Sequence, residues 1–288
     1  MRIPELFTRG KPVFSFEFFL PKAPEDMERF KETVRELKAL GPDFVTITYG
    51  AGGSGREKTI ETAGMIKAEL GLETASHLTC VAHTKAELKA VLARLKALRI
   101  ENVVALRGDS PKDGSALPAD RREVPYAADL VRLIGAEGDF AMAVAGYPEK
   151  HPEAVSLEAD LARLKEKVDA GGDWVITQLF FDNKDYFDFV ARARAAGVRC
   201  PIVPGIMPVT GFQQTKRFTE MCGARLPAEL TERLAPIAED KEAVVRFGVE
   251  WAVRQCRGLL EGGAPGVHFY TLNRSHSTSN VLETLRRG

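Results

Sequence analysis

The sequence predicts an α/β fold of the (β/α)8, or TIM, barrel type. It is read as a single catalytic domain over residues 1–288, with extra helices between strands 7 and 8. Three observations predict it. Eight short β-rich runs recur along the chain, and most of the stretches between them carry the apolar period of an amphipathic helix. Polar residues of reactive types stand at the ends of those runs, where barrel enzymes place their chemistry. Strands alternating with helices give a parallel sheet, and a doubly wound open sheet is the main rival.

The first run, VFSFEFF (13–19), has strand alternation. Phe14, Phe16 and Phe18 fall on one side and Val13, Ser15 and Glu17 on the other. In a barrel the aromatic side packs under the helices, leaving Glu17 near the top of the lumen. MERFKETVRELKAL then sets Phe30, Val34, Leu37 and Leu40 on one helical face. DFVTITY (43–49) ends in Thr48 and Tyr49, and a helix-like stretch runs from Arg56 to Leu70. TASHLTC (74–80) carries His77, and ENVVALRG (101–108) leads to Arg107, Gly108 and Asp109, with the helical KAELKAVLARLKAL between them. FAMAVAGY (140–147) ends at Tyr147, and DWVITQLF (173–180) carries Gln178. The helical LEADLARLKEKVDAG and YFDFVARARAAG close on Gly171 and Gly197, residues suited to C-caps. PIVPGIM (201–207) and GVHFYTL (266–272) are the last runs, the second followed by Asn273 and Arg274. Between them, LPAEL and EDKEAVVRFGVEWAVRQCRGLL read as the added helices.

Composition narrows the function classes. Hydrophobic residues make up 44% and charged residues 28%, the balance of a globular protein with a sizeable core. Forty basic and forty acidic residues cancel, so no global field attracts nucleic acid or an anionic membrane. Cys80, Cys200, Cys222 and Cys256 form no C-x-x-C pair and are expected as reduced, mostly buried thiols. The N-terminal stretch lacks the apolar core of a signal peptide, and no run approaches the roughly 18 apolar residues of a membrane span. The expectation is a soluble, cytoplasmic protein.

The glycine-rich GAGGSG (50–55) has the spelling of a dinucleotide fingerprint, with Gly50, Gly52 and Gly55 in G-x-G-x-x-G register. The context does not fit. The loop follows the second strand, and the next strand carries its only acid, Glu73, at its beginning. No Gly-Lys-Ser/Thr follows either, so a plain βα turn is expected. Metal hydrolysis is disfavoured too, because His77, His83, His151, His268 and His276 show no ligand spacing and no metal is expected.

Several groupings can carry chemistry. Glu17, in partly apolar surroundings, is expected to have a raised pKa, since desolvation disfavours the charged form. Staying protonated at pH 7 costs roughly 4 kcal/mol from the reference value. The alternative is a luminal Glu paired with a buried Arg or Lys. Asp109 would lie across the mouth, in a different environment suited to a different role, with Gly108 letting a planar ligand approach the backbone. The alternative there is Arg107 pairing with Asp109 around a turn. Tyr147 and His151 sit on a Pro-rich loop. Asp160, Arg163 and Lys167 share one helical face, as either a solvated stripe or a grip on ribose and phosphates. Gln178 follows Trp174 and Ile176 in parity, and a buried amide there needs partners.

FSFEFFLPK, VTITYGAGG, HLTCVAHT, NVVALRGDSP, AGYPEKHPEA, ITQLFFDN, VPGIMPVTGFQQTKRF and HFYTLNRS, in that order, resemble the methylenetetrahydrofolate reductase family. The resemblance implies a flavoprotein oxidoreductase of one-carbon metabolism and methionine biosynthesis, in its short prokaryotic form. It also implies tightly bound, non-covalent FAD and a ping-pong cycle in which NAD(P)H (NADH or NADPH) and then methylenetetrahydrofolate use the same flavin face. A homo-oligomer, dimer or tetramer, is implied as well. By position, Glu17 is implied as the general acid and Asp109 as the carboxylate beside flavin and pterin. Gln178, Gln214, Phe218 and Arg274 fall at substrate positions. Flavin contacts fall on Thr48, Tyr49, Ala51, His77, Arg107, Gly108, Asp109, Tyr126, Ala127, Tyr147, His151 and Ala154, with Asp160, Arg163 and Lys167 on the following helix. Two departures stand out. Leu20 replaces the first proline of the usual FEFFPP, and the helix reads Arg163 and Glu166 where Asn and Arg are expected, which moves the positive charge to Arg163.

Overall fold

In the computed structural model, which describes residues 1–21, 23–49, 56–81, 83–109 and 122–287, parallel strands form a nearly closed barrel with interleaved helices. The strands are β1 (Val13–Phe18), β2 (Phe44–Ile47), β3 (Thr74–Thr79), β4 (Asn102–Leu106), β5 (Ala141–Gly146), β6 (Trp174–Thr177), β7 (Ile202–Val203), β8 (Gly205–Ile206) and β9 (Gly266–Tyr270). Each pairs with its sequence neighbour from β1 to β7, while β1 also pairs with β9 and β8 pairs with β9.

The seventh predicted run is therefore two strands, split at Pro204. Proline has no N–H to give a ladder. Val203 pairs toward β6, Gly205 pairs toward β9, and the Pro204 carbonyl accepts the His268 N–H at 2.9 Å. One broken stave thus joins both neighbours.

The helices alternate with the strands: α1 (Met27–Ala39), α2 (Arg56–Leu70), α3 (Lys85–Ala97), α4 (Ala127–Glu137), α5 (Leu157–Asp169) and α6 (Asn183–Ala195). Between β8 and β9 come α7 (Phe212–Cys222), α8 (Ala228–Leu234) and α9 (Lys241–Glu261), and α10 (Ser275–Arg287) follows β9. The two added helices read from the sequence are α8 and α9. Helix α7 escaped that reading because its run, FQQTKRFTEMC, is mostly polar. Starts are set by capping. Thr84 and Glu87 form a reciprocal box before α3, Ser156 accepts the Ala159 N–H before α5, and Asp240 accepts the Ala243 N–H before α9. Gly171 and Gly197 end α5 and α6 with φ of 126° and 89°.

Strand parity sorts the core into two layers. Phe16 and Phe18 face outward and pack under the helices with Phe30, Val34 and Leu37, and Phe18 meets Phe30 edge-on at 5.8 Å. Val13, Phe44, Val104, Trp174 and Ile176 fill the lumen. A 3-10 turn, Ile3–Thr8, inserts Ile3 and Leu6 into the barrel floor, and the Ile3 N–H donates to Asn102 Oδ1 at 2.8 Å. Leu6 is buried, so Leu6→Ala would cost about 2–5 kcal/mol in lost transfer energy and cavity. With its floor filled, the barrel presents a cavity to a ligand at the C-terminal ends of its strands. Among the described residues no helix is long and apolar enough to cross a membrane.

Candidate active site

The alternation of β1 that sends Phe16 and Phe18 outward sends Ser15 and Glu17 inward, and it sets Glu17 at the base of a cavity of about 510 Å³. Two histidines from other strands meet it there. His77 Nε2, from β3, lies 3.3 Å from Glu17 Oε2, and His268 Nε2, from β9, lies 3.4 Å from the same oxygen. The Thr46 hydroxyl donates to it at 3.4 Å. Behind, His268 Nδ1 is 2.8 Å from Ser15 Oγ, and its ring stacks on Phe44 and meets Tyr270 edge-on. The Tyr270 hydroxyl donates to the Thr177 carbonyl at 2.6 Å.

This arrangement corrects the expectation for Glu17. Burial alone would raise its pKa, but the charges of His77 and His268 and the His268 hydrogen bond outweigh burial and hold the carboxyl down at about 2. The partner of the luminal carboxylate is neither Arg nor Lys but a pair of imidazoles. Unlike that of His268, the buried Nε2 of His77 meets no partner in hydrogen-bond geometry, although it lies 3.3 Å from Glu17 Oε2.

Across the cavity, β4 delivers Arg107, Gly108 and Asp109. Gly108 has φ of 83°, and a Cβ there would come within 2.7 Å of Val81, so packing as well as conformation requires glycine. Arg107 does not pair with Asp109 around the turn. Its guanidinium holds Glu153 through two bonds of 2.6 and 2.8 Å, and Asp109 is left exposed at the rim. From the loop after β5, Tyr147 and His151 stack edge-on at 4.7 Å. The His151 N–H donates to Asp160 and its Nδ1 accepts the Glu153 N–H, which fixes the loop. Burial pushes the Tyr147 hydroxyl up to about 12.

The charged stripe on α5 is divided by the fold. Lys167 turns into the cavity, where its Nζ donates to the Ala145 carbonyl at 2.6 Å and burial lowers its pKa to about 8. Asp160 serves the loop. Arg163 is 76% exposed and bound to Glu166, which also holds Arg132, so Arg163 is not brought to the cavity.

Other predicted positions divide similarly. Thr48, Ala127, Gln178 and Phe218 line the cavity. Tyr49 lies in the outer layer, its hydroxyl 3.0 Å from His83 Nε2, and Tyr126 is exposed as the N-cap of α4. Ala154 gives its carbonyl to Lys150 Nζ. Gln214 stands one turn before Phe218 on α7, and Arg274 reaches Thr210 at 3.5 Å, with neither in the cavity wall. Ala51 and the glycine-rich loop at 50–55 lie outside the described residues.

Ser15, Glu153, His268 and Tyr270 belong to the site but were not singled out from the sequence. The signal for two of them was present: in GVHFYTL, His268 and Tyr270 share a parity opposite to Val267 and Phe269, which pack outward.

Fold and site together define a parallel α/β barrel with a carboxylate–imidazole cluster under a ligand-sized cavity at the strand C-termini. Residues 2–286 match the methylenetetrahydrofolate reductase family. The 5,10-methylenetetrahydrofolate reductase of Escherichia coli (strain K12) is 39% identical over 277 residues, covering 96% of this chain and 92% of its own. A probable methylenetetrahydrofolate reductase (NADH) of Oryza sativa subsp. japonica is 40% identical over 295 residues, covering 99% of this chain and 50% of its own. The chain spans about half the length of such plant relatives. Among solved structures, a Clostridium thermocellum protein described as binding two copies of 5-methyl-5,6,7,8-tetrahydrofolic acid superposes with a TM-score of 0.67. It is 14% identical and covers 100% of this chain and 98% of its own, a likeness of fold. The chain belongs to the methylenetetrahydrofolate reductase family, a family of oxidoreductases.

Proposed function

We propose that this protein is an FAD-dependent reductase that carries a hydride from NADH to 5,10-methylenetetrahydrofolate, giving 5-methyltetrahydrofolate by a ping-pong cycle. The observation that carries the reading is the buried Glu17, with two imidazoles on one of its oxygens, at the base of the cavity. The E. coli relative, matched over 92% of its length, and the NADH named for the plant relatives support the substrate and the reductant.

The residues present fit a flavin dinucleotide. Lys167 and Arg107 offer positive charge for a diphosphate, and Asp109, Tyr147, His151 and Gln178 offer polar edges on a wall otherwise rich in apolar groups. When bound, FAD supplies the hydride chemistry, accepting from NADH and donating to the folate. His77 Nε2, buried and without a hydrogen-bond partner among the described residues, marks a polar position in the cavity wall.

The protein's share is to place the folate and move one proton. Opening the five-membered ring of the substrate releases an amine nitrogen, which must be protonated. Glu17 is the group placed to do this, as general acid. Because its carboxyl is ionised between the histidines, the proton it delivers is drawn from that cluster. Asp109 at the rim is the hydrogen-bond acceptor for the pterin, Gln178 binds an edge of the folate, and Phe218 packs on its aminobenzoate ring. Gln214 and Arg274, beyond the cavity wall, are the remaining substrate contacts.

Visible flavin absorption in the purified protein is the first test, since a flavin-free lyase or transferase barrel would lack it. Under anaerobic conditions NADH should bleach the flavin, and methylenetetrahydrofolate should restore its colour. Glu17→Gln should slow the folate-driven step about 10²–10⁴-fold, the usual range for general acid catalysis. Folate-driven reoxidation at the wild-type rate in that variant would remove Glu17 from the role.

A further inference from the structure

We propose that His77 is the proton store of this site, a positioning residue that passes its Nε2 proton to Glu17 Oε2 when a ligand fills the cavity and is recharged from solvent when the cavity empties. The inference rests on the reductase reading above and adds the source of the proton to it.

Two imidazoles contact the same carboxylate oxygen, and they are not equivalent. His268 is completely buried, tied to Ser15 through Nδ1, stacked on Phe44 and closed off by Tyr270. His77 lines the cavity, is 7% exposed, and faces Glu17 at 3.3 Å without forming a hydrogen bond. A buried nitrogen left unsatisfied is destabilising, so a small displacement that made the contact a bond would be favourable. Of the two, only His77 has access to both the carboxylate and the cavity.

The trigger is desolvation. With water in the cavity, imidazolium and carboxylate are both stabilised, and the proton stays on nitrogen. Filling the cavity removes that water, which penalises two charges more than two neutral groups. The N–H bond of His77 breaks, the O–H bond of Glu17 forms, and the net charge does not change. Glu17 then gives the proton to the substrate amine and returns to carboxylate, leaving His77 neutral until product departs. The other ionisable groups around the cavity are His268 and Tyr270 from β9, Arg107 and Asp109 just after β4, Tyr147, His151 and Glu153 just after β5, Lys167 from α5 and Cys222 from α7.

The test is infrared difference spectroscopy of the oxidised, flavin-loaded protein on adding tetrahydrofolate, which lacks the one-carbon group and so cannot return a hydride to the flavin. A protonated-carboxyl band should appear, be absent in Glu17→Gln, and fall at least tenfold in His77→Gln while persisting in His268→Gln. Folate binding without the band in the wild-type protein would overturn the proposal alone. A band retained in H77Q and lost in H268Q would assign the store to His268. Failure to bind folate at all would overturn the reductase reading first. As a second measurement, the wild-type rate of folate-driven reoxidation should fall with rising pH, and H77Q should lose that limb. An unchanged limb in H77Q would reduce His77 to a wall of the cavity.

Discussion

Arg107 and Glu153 form a two-bond ion pair that ties the end of β4 to the loop after β5 at the edge of the cavity, with N–O distances of 2.6 and 2.8 Å. The pair is partly solvated, so it contributes about 1 kcal/mol or less to stability. Its larger effect is on binding, because an anion approaching Arg107 must compete with Glu153. Glu153→Gln should tighten FAD binding several-fold in equilibrium dialysis and leave the thermal midpoint of the apoprotein nearly unchanged. Weaker binding in that variant would mean that Glu153 positions the loop rather than competing with the ligand.

Lys167 illustrates a binding group held at a cost to stability. Burial lowers its pKa from 10.5 to about 8. Below about pH 8 both states carry the proton and the folded state bears the full penalty, roughly 3 kcal/mol. From about 8 to 10.5 the unfolded chain binds more protons, so this residue makes stability rise with pH. Lys167→Met should stabilise the apoprotein at pH 7 by up to that amount in urea unfolding, flatten the rise, and weaken FAD retention. A destabilised variant would show that the bond to the Ala145 carbonyl outweighs the burial of the charge.

The barrel was legible because period and parity are local properties of the sequence. Glu17 inward and Phe16 outward followed from alternation alone, and Gly171 and Gly197 followed from helix ends. The proline that splits the seventh run is local, but which neighbour each half-strand finds is set by closure of the ring. The same limit applied to the site. Glu17 was read with its burial but without His77 and His268, which lie 60 and 251 positions along the chain, so the direction of its pKa came out reversed. The α5 stripe was read as one face, yet Lys167 and Arg163 turn to different surroundings across that face.

Gly205 permits the close packing behind the histidines. A Cβ there would meet the Thr177 carbonyl at 2.3 Å and the Tyr270 ring and hydroxyl at 2.6 and 2.8 Å. Backbone and a hydrogen-bonded ring cannot yield cheaply, so Gly205→Ala should cost about 1–3 kcal/mol or more, as overpacking does. It should also displace Tyr270 from His268 and slow the folate-driven step. Gly263, with φ of 88° and open space around it, provides the contrast, since Gly263→Ala carries only the conformational penalty of about 1 kcal/mol. Equal losses in the two variants, read by urea unfolding, would show that the barrel end relaxes around the added methyl.

The Glu17 cluster should also be visible in acid stability. A folded-state pKa held at about 2, below the ordinary value of 4.5, means that ionised Glu17 stabilises the fold. That contribution is complete above about 4.5 and is lost as pH falls toward 2, because the unfolded chain takes up the proton first. Its size is at most a few kcal/mol, since desolvation offsets much of the attraction to the imidazoles. Glu17→Gln keeps the shape and removes the charge. Its stability should therefore fall less steeply than that of the wild-type apoprotein between pH 5 and 3, with the two curves converging toward acid. Parallel curves over that range, measured by urea unfolding in the absence of ligand, would mean that the resting carboxyl already carries its proton and that the imidazoles do not hold it ionised.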